Sequence, residues 1–240
     1  MSKQSITLLQ LYPRDMNIYG DNGNALVLER RLKWYGYDVQ HIAYNPGDKF
    51  PDHVDIIVGG GGQDSGQDKI VDDLQSIGPI LRKLADSGTP MLMICGMYQL
   101  FGKFFKTSTG ETLTGIGVFD IETYGESERL IGNIILDSEE FGEIIGYENH
   151  SGQTFLSDNV KPLGRVRQGA GNNAADAYEG ARYKNTIGSY LHGSLLPKNP
   201  RIADFLIEKA VTRKYGEFST DIIDDGLALK ARAIAMKRPR

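Results

Sequence analysis

The 240-residue sequence has little of what marks secreted, membrane-spanning or nucleic-acid-binding proteins. Its single cysteine excludes a disulfide framework within the chain, and we expect a reducing, cytoplasmic compartment. No apolar run approaches the ~18 residues of a membrane span, and the first residues lack the pattern of a secretory signal. A formal net charge of -4 gives no support for nucleic-acid binding. What remains is a globular chain long enough to bury a full core.

Apolar β-rich runs alternate with helical patterns in the first third of the chain. The predicted strands lie at 6–12, 37–44, 54–58 and 90–94, and the predicted helices at 24–36 and 67–87, the second interrupted at Gly78-Pro79. This alternation predicts an α/β fold with a mostly parallel central sheet and helices on both faces.

The second half of the chain has a different pattern. Short strands and turns are predicted from about 112 to 190, a buried strand at 186–191, and a helix at 200–216. No internal repeat or low-complexity linker divides the chain. We therefore expect one domain over residues 1–240, with a β-rich second half and a terminal helical tail at about 217–240.

Three chemically informative segments each follow a predicted buried strand. They are the glycine run 59–62, Cys95 and His192. Because ligands bind beyond the carboxyl ends of parallel strands, we expect all three at one edge of the sheet. A cysteine in a strand-to-helix turn, such as Cys95, can be an acyl-transfer nucleophile. His192 is the histidine best placed to serve as its base.

Each of these segments also has a simpler interpretation. A lone cysteine is most often a small buried side chain, and a glycine run can cradle a phosphate. The run at 59–62 lacks both the Gly-Lys-Ser/Thr ending of a nucleotide loop and the spacing of a dinucleotide fingerprint. The joint occurrence of cysteine, histidine and glycines after three different strands favours a Cys-His site with backbone N–H groups facing a reacting carbonyl.

Several motifs resemble those of the class I glutamine amidotransferase superfamily, in its cobyric-acid-synthase-like branch. The resemblance is carried by ICGMYQLFG (94–102), GGGG (59–62), SYLHGSLLPKNPRIADFLIEKA (189–210), MNIYGDNGN (16–24), GIGVFDIETYGESERLIGNI (115–134), IIGYENHSGQT (144–154) and GAGNN (169–173). It spans nearly the whole chain and implies a flavodoxin-like fold.

The resemblance also implies a role for individual residues. Cys95 would attack the carboxamide of glutamine, and His192 would act as general base and then as general acid. The N–H groups of Gly60 and Gly96 would hold the oxyanion. Arg129 would bind the substrate glutamine, which suits a guanidinium because it can clamp a carboxylate with two hydrogen bonds.

The resemblance further implies a glutaminase that passes ammonia to a Mur-ligase-like synthetase subunit in a heterodimer. That partner would bind ATP and Mg and amidate the D-glutamate α-carboxyl of lipid II in peptidoglycan synthesis, near the inner face of the membrane. No cofactor or metal is expected in this chain. Two alternatives stay open: a glutaminase serving another synthetase, for instance one acting on a corrinoid, and a non-catalytic module that binds or senses through its cysteine.

Two positions depart from the usual pattern of such relatives. Met93 and Met97 flank Cys95 where tight nucleophile turns favour small residues, so both must point away from the tight side or the turn is looser. Ser194 stands where relatives usually carry the glutamate that orients the histidine. Our hypothesis is that the partner subunit supplies this carboxylate, with Glu148 and Asp176 as the alternatives within the chain.

Overall fold

The computed structural model describes residues 4–219 and 222–238. Its first part contains β1 (Ser5–Leu11), α1 (Asn22–Trp34), β2 (Asp38–Tyr44), β3 (Ile56–Gly59), α2 (Asp64–Asp86), β4 (Met91–Ile94) and α3 (Gly96–Leu100). Its second part contains β5 (Phe104–Lys106), β6 (Thr112–Thr114), β7 (Ile121–Ser138), β8 (Gly142–Leu156), β9 (Gly164–Gln168), β10 (Tyr178–Glu179), β11 (Ala181–Tyr183), β12 (Thr186–Ser189), α4 (Leu195–Lys198), α5 (Pro200–Tyr215) and α6 (Gly226–Ala235).

The strands of the central sheet lie in the order β11-β12-β4-β3-β1-β2. All neighbours are parallel except β11, which pairs antiparallel with β12 at the sheet edge. Every residue of β3, β4 and β12 is buried, as expected of parallel strands covered on both faces. The parallel strands follow the flavodoxin-like order, so the expectation of a mostly parallel central sheet is confirmed.

The chain changes direction across this sheet between β1 and β3. From β1 it crosses through α1 to β2 on one side, whereas β3 and β4 lie on the other side. Because β-helix-β crossovers are right-handed, α1 and α2 pack against opposite faces. The segments that follow β1 and β3 therefore diverge at a topological switch point, where a crevice opens at the carboxyl edge.

A second sheet is built around a long antiparallel hairpin. Its strands lie in the order β10-β9-β7-β5-β6, and β8 pairs with β7. The sequence predicted only short strands here, and this prediction was wrong because glycines inside β8 resemble turn residues. A Cβ at Gly146 would lie 2.5 Å from Leu191 Cγ, and one at Gly152 would lie 2.2 Å from Gln99 Nε2. These glycines permit close packing rather than turns.

Helix α2 runs without interruption through Pro79, where the sequence predicted a break. Proline removes one backbone donor, but buried Ile77 and Leu81 anchor the helix on either side of it. Near the end of the chain, α6 buries none of its residues. Within the described ranges, no helix is both long enough and apolar enough to span a membrane.

Candidate active site

Cys95 occupies a strained turn between β4 and α3. Its backbone angles are φ 51 and ψ -107, in a region that non-glycine residues seldom adopt. Its N–H donates to the carbonyl of Ser189 in β12 at 2.8 Å, and the residue is 6% exposed. Strain of this kind is typical of turns that present a nucleophile at the end of a sheet strand.

The methionines on either side of Cys95 pack against a glycine of the neighbouring strand. A Cβ at Gly59 would lie 2.9 Å from Met97 Cγ and 3.1 Å from Met93 Sδ. Both side chains are fully buried, so the space left by the missing side chain at Gly59 accommodates them. The tight turn is thereby retained despite two large residues.

His192 follows β12, the strand next to β4, and its ring lies beside Cys95. A Cβ placed on Gly61 would be 2.7 Å from His192 Cε1 and 3.0 Å from Cys95 Cβ, so the two side chains meet over this glycine. The His192 backbone N–H donates to the carbonyl of Tyr147 at 2.7 Å, which holds the segment against the hairpin. The structure thus brings together the two residues that the sequence placed at the ends of adjacent strands.

A third residue completes this cluster from the segment after β1. Asp21 Oδ2 lies 3.3 Å from His192 Nδ1 and accepts the N–H of Gly61 at 2.8 Å. The side chains of His192 and Asp21 are only 1% and 2% exposed. Asp21 is the N-cap residue of α1 but makes no side-chain capping bond, because its carboxylate turns toward the histidine.

The charges around His192 favour its protonated form. Burial alone would lower its pKa, but the negative charges of an ionised Cys95 and of Asp21, with their hydrogen bonds, raise the pKa of His192 to about 10. Paired with a Cys95 thiolate, the ring is therefore an imidazolium near neutral pH. In that form it can donate a proton to a leaving group beside the sulfur.

The carboxylate beside the histidine comes from this chain, which corrects our hypothesis that the partner must supply one. Glu148, one of the two candidates, accepts the backbone N–H groups of Ala170 and Gly171. Asp176, the other, accepts the side-chain N–H of Asn173 at 2.8 Å.

Ser194, which stands where relatives usually carry glutamate, has a different contact. Its hydroxyl donates to the carbonyl of Gly20 at 2.8 Å. Ser194 thereby ties the segment after His192 to the one that carries Asp21.

A second histidine near the thiol cannot serve as its base. His150 is 2% exposed, stacks on Tyr190 with ring centroids 3.6 Å apart, and its Nδ1 lies 2.6 Å from the carbonyl of Gly152. Burial lowers the pKa of His150 to about 3, so it stays neutral at physiological pH. The two histidines are thus distinguished by environment, and only His192 combines a carboxylate partner with a position beside Cys95.

Cys95 lies in a cavity of about 370 Å³. The cavity is lined by Tyr19, Gly62, Gln63, Gln67, Cys95, Gln99, Phe105, Arg129, Asn149, His150, Ser151 and Gly152. Arg129 sits where the pairing of β7 with β8 shifts register, and such bulges re-aim side chains. Its Nε and Nη2 donate to Asn149 Oδ1 at 3.2 and 2.9 Å, and Nη2 also donates to Tyr19 Oη at 3.3 Å. A guanidinium and a thiol therefore share one cavity, as binding and cleavage of an amino-acid carboxamide would require.

The glycines proposed for the oxyanion hole lie in two segments, one after β3 and the other directly after Cys95. Gly96 is the first residue of α3, and Gln67 Nε2 donates to its carbonyl at 3.2 Å. A Cβ on Gly60 would lie 2.2 Å from the Met16 carbonyl oxygen, so only glycine fits there. The N–H of the next residue, Gly61, is already bonded to Asp21, and the roles of Gly60 and Gly96 stay predictions.

The family model of the CobB/CobQ-like glutamine amidotransferase domain matches residues 7–200, a span that holds the cysteine, the histidine and the aspartate. The chain belongs to this family. It is 38% identical over 234 residues to the GatD subunit of lipid II isoglutaminyl synthase (glutamine-hydrolyzing) from Staphylococcus aureus strain N315, covering 97% of this chain and 96% of the relative.

Another relative carries the same subunit name, and a solved structure shares the fold. The GatD subunit of Streptococcus pneumoniae strain R6 is 40% identical over 215 residues, covering 88% of this chain and 83% of the relative. A crystal structure of a glutamine amidotransferase superposes with a TM-score of 0.60 at 15% identity, covering 84% of this chain and 98% of that one. At this identity the last similarity supports the fold alone.

Sequence reasoning missed two residues of the site, Asp21 and Tyr19. Both lie in the segment after β1, the strand whose carboxyl end was not considered with those of the other three. An aspartate at the start of a predicted helix resembles an ordinary N-cap. The switch-point rule would have directed attention to it, because β1 borders that point.

Proposed function

We propose that this chain is a glutaminase that hydrolyses glutamine to glutamate and ammonia through a thioester on Cys95. The observation that carries the proposal is the buried Cys95-His192-Asp21 cluster at a cavity whose wall holds Arg129. A guanidinium that can bind an α-carboxylate, placed in one cavity with a thiol, fits an amino acid that bears a second, reactive carbonyl.

Acylation begins when the Cys95 thiolate attacks the carboxamide carbon of bound glutamine. The oxyanion that forms would be held by the N–H groups of Gly60 and Gly96. The His192 imidazolium donates its proton to the departing nitrogen, the C–N bond breaks, and ammonia leaves a glutamyl thioester on Cys95. Asp21 accepts a hydrogen bond from Nδ1 of His192 and stabilises the charged ring before this transfer.

Deacylation reverses these roles with water in place of the thiol. Neutral His192 removes a proton from a water molecule, and the resulting hydroxide attacks the thioester carbonyl. The C–S bond breaks, glutamate leaves, and the Cys95 thiolate and His192 imidazolium pair is restored. Each turnover thus consumes one glutamine and one water and needs no cofactor in this chain.

We further propose that the ammonia serves amidation of the D-glutamate α-carboxyl of lipid II. This part rests on the names of the two relatives, each a subunit of a lipid II isoglutaminyl synthase that this chain matches over most of its length. A Mur-ligase-like synthetase subunit, carrying ATP and Mg, would activate that carboxyl. Free ammonia is mostly protonated in neutral water and then cannot attack a carbonyl, so a physical complex is expected.

The test is release of glutamate from glutamine by the purified chain, with and without the synthetase subunit from the same source. Cys95→Ala and His192→Ala should abolish release. His53→Ala is the matched control, because His53 is exposed and lies outside the cluster, and it should leave release unchanged. Absence of glutamate release in the wild-type complex would refute the proposal.

A sensing module is the alternative that the same experiment can recognise. Arg129→Ala should lose glutamine hydrolysis while Cys95 still reacts with iodoacetamide, because the guanidinium contacts substrate and not the thiol. If the wild-type cysteine reacts with oxidants but never turns over glutamine, the sensing function is favoured. Full activity in Arg129→Ala would instead remove Arg129 from the substrate site.

A further inference from the structure

A second cavity adjoins the site on the side of His192. Its volume is about 460 Å³, and His192 lines it whereas Cys95 does not. Cys95 and Arg129 line the first cavity, whereas His192 does not, and we call this first one the substrate cavity. Tyr19 lines both. The two cavities therefore lie on either side of the Tyr19 and His192 rings, and we call the second one the exit cavity.

The two rings form the partition between these cavities. Their centroids are 4.4 Å apart with an interplanar angle of 55°. The Tyr19 hydroxyl also accepts a hydrogen bond from Arg129 Nη2 at 3.3 Å, so the partition is tied to the residue proposed to hold the substrate. A carboxylate that binds Arg129 competes with this weak bond. Substrate binding can thus release the Tyr19 ring from its place.

The order of bond breaking decides where ammonia can go. When the C–N bond breaks, the glutamyl group remains on Cys95 and still fills the substrate cavity as far as Arg129. The nitrogen leaves toward His192, since this residue supplies its proton. We propose that ammonia passes the Tyr19 partition into the exit cavity and leaves between the β7-β8 hairpin and α6. This inference rests on the proposed glutaminase function and adds a route for its product.

The walls of the exit cavity suit neutral ammonia better than ammonium. Ile134, Ile135 and Ile145 form an apolar wall on the hairpin. Lys198 and Arg238 also line the cavity, and two cations raise the energy of a third. Burial, and then the charge of Arg238, lower the pKa of Lys198, which indicates an environment that disfavours positive charge. Ammonia that stays unprotonated keeps its nucleophilicity.

Helix α6 forms the other wall of the exit cavity, and its residues can be substituted without altering the protein core. Polar contacts hold it: Arg232 Nη2 donates to Glu143 Oε1 at 3.0 Å, and Nη1 to Asn199 Oδ1 at 2.7 Å. Ala231 and Ala235 line the exit cavity, whereas Ala233, on the same helix, does not. Since α6 buries none of its residues, each of these alanines can take a large side chain without disturbing a core.

The experiment compares Ala235→Trp and Ala231→Trp with Ala233→Trp, each in the complex with the synthetase subunit. Glutamate and amidated lipid II are measured in the same reaction, once with glutamine and once with ammonium chloride as nitrogen donor. An indole at either position narrows the exit cavity, so amide formed per glutamate should fall about fivefold or more in the two cavity variants. Glutamate release and ammonium-dependent synthesis should stay at wild-type levels. Ala233→Trp should form as much amide per glutamate as the wild type does, and we call this ratio the coupling.

The outcomes separate this inference from the function on which it rests. Loss of coupling in the two cavity variants, with free ammonia in solution, supports the exit cavity as the route. Wild-type coupling in either cavity variant overturns it while leaving the glutaminase in place, and so does an equal loss of coupling in Ala233→Trp. Absence of glutamate release in the wild-type complex would instead refute the proposed function.

Discussion

Replacing Asp21 with asparagine tests how much the buried carboxylate contributes to turnover. The N–H of Gly61 requires an acceptor at the position of Asp21 Oδ2, so asparagine should present its oxygen there. That oxygen can still accept from Nδ1 of His192, and the tautomer of the ring should be retained. The variant thus removes the charge beside the histidine and leaves the geometry close to that of the wild type.

The size of the effect follows from the loss of a charged hydrogen-bond acceptor. Such a bond contributes about 1.5–3 kcal/mol, so kcat for glutamine hydrolysis should fall about 10- to 150-fold. This is less than the about 10⁴-fold loss known for triads in which the amide also fixes the wrong tautomer. Since Arg129 is untouched, KM for glutamine should stay within about twofold.

The pH dependence supplies an independent readout. Asp21 is one of the groups that raise the pKa of His192 to about 10, so that pKa should fall in Asp21→Asn. The alkaline limb of kcat/KM, where the imidazolium is lost, should then move to lower pH. Asp15→Asn is the matched control, because Asp15 lies on the same segment but pairs with Lys69 at 3.8 Å. An Asp21→Asn variant with wild-type kcat and an unmoved alkaline limb would refute the reasoning.

Three other substitutions probe substrate binding, packing and stability. Arg129→Lys should raise KM for glutamine about tenfold or more with a smaller change in kcat, because lysine cannot replace the two bonds to Asn149 Oδ1; steady-state kinetics check this. Gly61→Ala should lower kcat at least about tenfold, since its Cβ would lie 2.7 Å from His192 Cε1, and circular dichroism should show an intact fold. Burial raises the pKa of Glu179 to about 7 from an ordinary 4.5, so the native state binds this proton more tightly than the unfolded state does. The free energy of unfolding should therefore fall by about 3 kcal/mol as pH rises from about 4.5 to above 7. Urea titrations of Glu179→Gln should show that this pH dependence is removed.

The sequence could predict those parts of the site that follow from strand ends. Cys95 follows a wholly apolar run and His192 follows a short run that is buried throughout, and parallel strands align their carboxyl ends whatever their separation in the chain. The position of Arg129 could not be derived in this way. It depends on a bulge between two long strands whose glycines resemble turns, so only the resemblance pointed to it.

Asp21 was missed for a different physical reason. Its backbone position satisfies the sequence pattern of a helix N-cap, and nothing in the sequence reveals that its side chain turns away from the helix. The direction of the side chain is set by the backbone N–H of Gly61, in the segment that follows β3, and by the ring of His192. Such contacts join segments that are distant in the chain, so the local sequence pattern around Asp21 does not predict them.

The hydrogen bond from Ser194 to the carbonyl of Gly20 has a consequence for how the protein is made. It joins segments 174 residues apart in the chain, one carrying the aspartate and the other directly following the histidine. A chain synthesised only as far as residue 185 contains Cys95 but lacks β12 and His192. Pairing of β12 with β4 brings His192 to the edge of the sheet where Cys95 and Asp21 lie. We therefore expect a chain that stops before β12 to hydrolyse no glutamine, because the proposed base is missing.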